Sequence, residues 1–122
     1  MNSKSGGLPA LPDLSPIPLL EAIQKHGRTW AELAPRCGVT EPEPPWKVSL
    51  HAMCECLSVG GTLPSLERRY AEDRLGETLY RASPAPEQQL LALADSMLRR
   101  GYFDEEVLMR RMKEVRARLE AS

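Results

Sequence analysis

The chain has 122 residues, which is room for one domain with its own core and not for two full-sized ones. Sixteen Lys and Arg stand against seventeen Asp and Glu, a net charge of −1, so no global positive field draws the chain to nucleic acid or anionic lipid. Hydrophobic residues at 42% and charged residues at 27% belong to a folding chain rather than a disordered one, and with two Trp, three Tyr and one Phe the strand-forming aromatics are scarce, so the expectation is an all-α fold.

Residues 1–16 mix Gly, Ser and Pro with isolated Leu8, Leu11 and Leu14, and read as an extended arm. Pro9, Pro12, Pro16 and Pro18 interrupt every stretch that could serve as the apolar part of a signal peptide. Eight of the 11 prolines fall within the first 45 residues, so residues 17–45 read as short helices and a Pro-rich linker ahead of a helical body over 46–122. Pro18 suits a first helical turn and Gly27 a stop. Thr29 is placed to cap a second short helix, Trp30–Arg36, closed by Cys37-Gly38.

Four main helices are expected in the body. The first carries Trp46, Leu50, Met53 and Leu57 on one face and ends at Gly60-Gly61. The second starts near Pro64, turns Leu66, Tyr70 and Leu75 inward, and is interrupted by Gly76. Ser83-Pro84-Ala85-Pro86 is a connection to the third, Glu87–Arg100, which buries Leu90, Leu91, Ala94, Met97 and Leu98 and closes at Gly101. Asp104 caps the last, whose stripe is Leu108, Met112, Val115 and Leu119, with Glu106–Arg110 and Glu114–Arg118 as pairs on its wet side. The short apolar run Leu90–Leu93 is followed at once by Asp95 and falls far below the roughly 20 residues of a membrane span.

Little in the chain forms a self-contained active site. Cys54-Glu55-Cys56 places two thiols about 200° apart on a helix, and Cys37 and His51 join them only if folding brings them close, so no metal site is expected in this chain. Three cysteines, an odd number, argue against a disulfide framework and for a reducing cytoplasm. His26, before Gly27, is a helix-end residue favoured by the dipole. Arginine is the enriched functional type: Arg68, Arg69, Arg74, Arg81, Arg99 and Arg100 lie on or between the middle helices, where most balance Glu67, Glu72, Asp73 and Glu77. Tyr70 and Tyr80 read as core residues. Thr29-Trp-Ala-Glu-Leu-Ala through Gly38-Val-Thr40 resembles the opening of a helix-turn-helix unit, but Glu41-Pro-Glu-Pro-Pro45 stands where a recognition helix must follow, and a small DNA-binding protein remains only a third reading.

One longer pattern is more telling. Pro45-Trp46-Lys-Val-Ser-Leu-His-Ala-Met, Gly61, Leu66-Glu67-Arg68-Arg69, Leu75-Gly76-Glu77-Thr78-Leu79-Tyr80, then a Leu-rich helix and Arg100-Gly101-Tyr102-Phe103-Asp104-Glu105-Glu106-Val107-Leu108, resembles the helical N-terminal half of the nitrile hydratase β subunit. The resemblance covers about residues 43–120 and has no gaps from Trp46 through Tyr80.

That resemblance implies a non-metal subunit of a heteromeric enzyme that hydrates a nitrile to an amide. In the family, Co(III) or Fe(III) is held by a Cys-x-x-Cys-Ser-Cys loop of the α subunit, whose oxidised cysteines are gripped by arginines from β; the resemblance assigns one of these to Arg69. The implied partners are an α-like subunit and a β C-terminal-like subunit, as in three-subunit relatives such as thiocyanate hydrolase and toyocamycin nitrile hydratase. The aromatic turn usual in the family, Tyr-Tyr-x-x-Trp, is replaced here by Ala85-Pro86-Glu87-Gln88-Gln89. Its loss implies a wider substrate pocket, or a chain that no longer meets substrate and serves as a maturation activator of the α subunit.

Overall fold

Six helices follow one another in the computed structural model, which describes residues 15–121: α1 (Pro18–His26), α2 (Trp30–Arg36), α3 (Lys47–Val59), α4 (Ser65–Glu77), α5 (Ala85–Arg99) and α6 (Glu105–Ala121). No strand occurs among the described residues, so the fold is all-α: four main helices preceded by two short ones. The arm over residues 1–16, with Leu8, Leu11 and Leu14, lies outside the described residues except for Ser15 and Pro16.

Pro18 presets the first turn of α1, but its N-cap, Ile17, has no side chain able to accept a hydrogen bond. Glu105 at the start of α6 supplies the acceptor instead, with its Oε2 2.9 Å from the Leu19 N–H. Thr29 and Glu32 form a capping box on α2: Glu32 N–H donates to Thr29 Oγ1 at 3.3 Å and Thr29 N–H to Glu32 Oε1 at 2.9 Å. The same helix is tied to its surroundings by Trp30, whose N–H donates to Glu87 Oε2 at 2.7 Å and whose indole donates to the Glu41 carbonyl at 2.9 Å. After Thr40 no helix begins until Lys47, so none starts directly after the Gly38-Val39-Thr40 turn.

Several expected boundaries and faces differ. Gly76 does not interrupt α4, which runs on to Glu77; a Cβ there would sit 2.9 Å from Gln88 Oε1, so the glycine answers the close approach of α5 rather than a break. The α5 helix starts at Ala85, not Glu87, because Pro86 fits its first turn, where no N–H is required. On α3 the buried position is Cys54, while Met53 is 52% exposed. Leu66 and Leu90 also face solvent. Asp104 caps α6 as expected, accepting from the Val107 N–H at 2.8 Å. The pairs on α6 shift register: Arg111 reaches Glu114 at 3.2 Å and Arg116 reaches Glu120 at 3.9 Å.

Two clusters make the core, and α5 serves both. Ile17 and Leu20 from the α1 end, Leu75 of α4, Tyr80, and Leu91 and Ala92 of α5 form one. Leu50 and Cys54 of α3, Leu63 and Leu93 of α5 form the other, with Trp46, Leu57 and Met97 against it. The most extensive packing between helices is that of α4 on α5. α6, in contrast, has no buried residue, and Leu108 and Val115 of its expected stripe are only half-buried.

Candidate functional site

The consecutive arginines of α4 point to different surroundings. Arg68 turns toward α3, where its Nε donates to Ser58 Oγ at 3.3 Å, while its Nη1 donates to Glu72 Oε2 of its own helix at 2.9 Å. Ser58 passes the contact on, donating to the Leu63 carbonyl at 3.0 Å. A guanidinium so engaged is fixed in place and has little left to offer a ligand. Arg69, one residue on and about 100° around the helix, is exposed and makes no ion pair with any described residue.

The other expected arginines are dispersed. Arg100, at the end of α5, pairs with Glu67 in the first turn of α4. Arg74 is half-buried, with a buried Nε that meets no acceptor among the described residues, and Arg81 is exposed. Arg99 belongs to a buried network that the sequence reading left out: Tyr80 Oη donates to Asp95 Oδ2 at 2.5 Å, and Arg99 Nε donates to Asp95 Oδ1 at 2.5 Å. The Arg99 Nη2 group also reaches the Ser15 carbonyl. Asp95 is wholly buried, and burial, followed by the hydrogen bond to Asp95, raises the Tyr80 phenol far above its ordinary range. The available signal was an aspartate inside an apolar helix with an arginine four residues on.

A cleft of about 190 Å³ lies beside Arg68, lined by Leu50, His51, Cys54, Glu55, Glu72 and Gln89. His51 Nε2 and Gln89 Oε1 stand 3.3 Å apart at its rim. The Cys54 thiol is raised by burial, against a smaller opposing effect of Arg68, which makes it a packed thiol rather than a nucleophile. Cys56 and Cys37 are exposed, Cys54 is buried, and all three are free thiols. Among the described residues no three of His, Cys, Asp and Glu form a group able to hold a metal. His26 stands at the end of α1, exposed, as expected of a helix-end residue.

Two side chains of the segment Ala85–Gln89 are tied into the rest of the chain. Glu87 holds the Trp30 N–H, and Gln88 Nε2 donates to the Ser83 carbonyl at 2.9 Å. Its polar side chains therefore connect α5 to α2 and to the turn before it.

No helix of the described residues is long and apolar enough to cross a membrane. The chain matches no family model, no curated protein and no solved structure.

Proposed function

We propose that the chain is a cytoplasmic, non-metal subunit of a heteromeric nitrile hydratase-type enzyme, packed on a metal-bearing α-like subunit and a β C-terminal-like subunit. The observation that carries this reading is Arg69: an exposed guanidinium without an ion-pair partner among the described residues, on a helix whose neighbouring Arg68 is already committed. A donor fork held on a packed helix suits sulfenate and sulfinate oxygens, which accept several hydrogen bonds in fixed directions. Cobalt or iron on the partner would act as a Lewis acid toward the nitrile or its attacking water. This chain's part is to hold the oxidised cysteines in place.

A second reading is favoured by one observation. In the segment Ala85–Gln89 the Glu87 and Gln88 side chains are spent on contacts within the chain, and no aromatic side chain is offered to a substrate. That suits a maturation activator, which escorts the α-like subunit while metal is inserted and then departs.

The test is co-expression with the candidate partner subunits, purification through a tag on this chain, and measurement of metal content, stoichiometry and nitrile hydration in one peak. An equimolar, active, metal-containing complex supports the subunit. Activity that appears only after the chain has left supports the activator. Arg69→Ala is expected to leave the complex assembled and reduce turnover about 10- to 100-fold, the scale of losing a group that positions a metal site; unchanged turnover removes the role.

A further inference from the structure

α1 and α6 are joined where Glu105 caps Leu19 and leave between them a cleft of about 760 Å³. Its walls are apolar: Leu19 and Ile23 from α1 face Met112, Val115 and Leu119 from α6. These side chains are not closed over, for Met112 is 43% and Leu119 66% exposed. Leu108, Met112, Val115 and Leu119 recur at steps of four, three and four, the spacing with which one helix presents a seam to another. Over those residues the seam is about 17 Å long, three turns of a second helix.

Charge on the groove has one sign. Arg111, Lys113 and Arg116 line it together with His26, and no carboxylate does. Arg111 and Arg116 reach Glu114 and Glu120 only as exposed pairs, which contribute little and yield to a better-placed acceptor.

The charges discriminate between possible occupants. A second copy laid α6 against α6 would set Arg111, Arg116 and Arg118 against their like, which is destabilising. Residues 1–14 of this chain hold one lysine, Lys4, and one aspartate, Asp13, and bring no net charge to match the cations. A bilayer surface takes a protruding apolar face, whereas these residues line a hollow between two helices. We infer that the α1/α6 groove is a docking site for an acidic amphipathic helix of a partner protein, three to four turns long, with its apolar face on the Met112–Leu119 seam and its carboxylates against Arg111, Lys113 and Arg116. The inference stands on the groove alone and does not depend on a nitrile hydratase assignment.

The experiment uses the full chain and two synthetic 14-residue helical peptides with one shared Leu seam, flanked by Glu in the first and by Lys in the second. Calorimetric titration is expected to give binding of the Glu peptide at least about tenfold tighter than the Lys peptide, weakening several-fold between about 50 and about 500 mM NaCl. Met112→Asp, at an exposed position that leaves the core intact, is expected to weaken the Glu peptide at least about tenfold. Arg111→Glu with Arg116→Glu is expected to reverse the preference toward the Lys peptide. Equal affinity for both peptides, or none for either, overturns the inference. So does a concentration-dependent dimer of the unbound chain that Met112→Asp dissolves, which makes a second copy the occupant. A rise of about tenfold or more in peptide affinity on deleting residues 1–14 assigns the groove to the arm. Competition by anionic vesicles assigns it to a membrane surface.

Discussion

Asp95 shows how one side chain can set the stability of its surroundings. It is wholly buried, yet it accepts from Tyr80 and from Arg99, so its charge is balanced and both its oxygens are engaged. Asp95→Ala removes the acceptor and leaves a guanidinium and a phenol facing a gap. The expected cost in a urea titration is about 3–5 kcal/mol, a large share of what a chain this size has to lose. Burial, followed by the hydrogen bond to Asp95, gives Tyr80 a dependence on pH. The folded state holds the phenol neutral above its ordinary range, while the unfolded chain releases the proton near pH 10. The phenol's contribution is therefore complete below about pH 10 and declines as pH rises beyond it. The denaturation midpoint should fall more steeply above about pH 10 in the native chain than in Tyr80→Phe; equal slopes would mean that Tyr80 is not the group responsible.

At the scale of elements, the expectations that held were those with a local cause. Thr29 and Asp104 are short acceptors directly before helices, and each caps as expected. What the sequence did not reveal was set by neighbours far along the chain. Gly76 reads as a helix stop, since glycine costs about 1 kcal/mol inside a helix, but only the position of Gln88 shows why it is tolerated. Met53 and Cys54 are adjacent, and the choice between them as the inward residue rests on where α4 and α5 lie. Arg69 could be placed on its helix from spacing, whereas that Arg68 is the one committed to Ser58 and Glu72 rests on where α3 lies. Gly76→Ala tests the helix contact. Alone it should change stability by less than about 0.5 kcal/mol, because the helical gain is offset as Gln88 is pushed off the Ser83 carbonyl. In a Gln88→Ala background the same change should stabilise by about 1 kcal/mol, and additivity in that double-mutant cycle would refute the contact.

Across the whole molecule, α5 and α6 stand at opposite extremes. Leu91, Ala92, Leu93, Asp95 and Ser96 of α5 are buried, and nothing on α6 is. Hydrogen exchange in the isolated chain should therefore be slowest over residues 91–96 and at least about a hundredfold faster over residues 109–119; equal protection would mean that α6 is held by more than its junction with α1. α6 is still patterned as a packing helix, with an apolar seam and cationic flanks, and a seam of that kind is what a chain carries when part of its core belongs to another molecule.

The sharing of α5 between two clusters has a consequence for how the fold comes apart. Leu91 serves one cluster and Leu93 the other, two residues away on the same backbone. Neither cluster can keep its lining once that stretch of helix loosens, so α1, α3, α4 and α5 melt as one cooperative unit with no half-folded refuge. α6 lies outside that bargain. Its residues 109–119 can fray and reform while the rest stays intact, with Glu105 at its start still tied to Leu19.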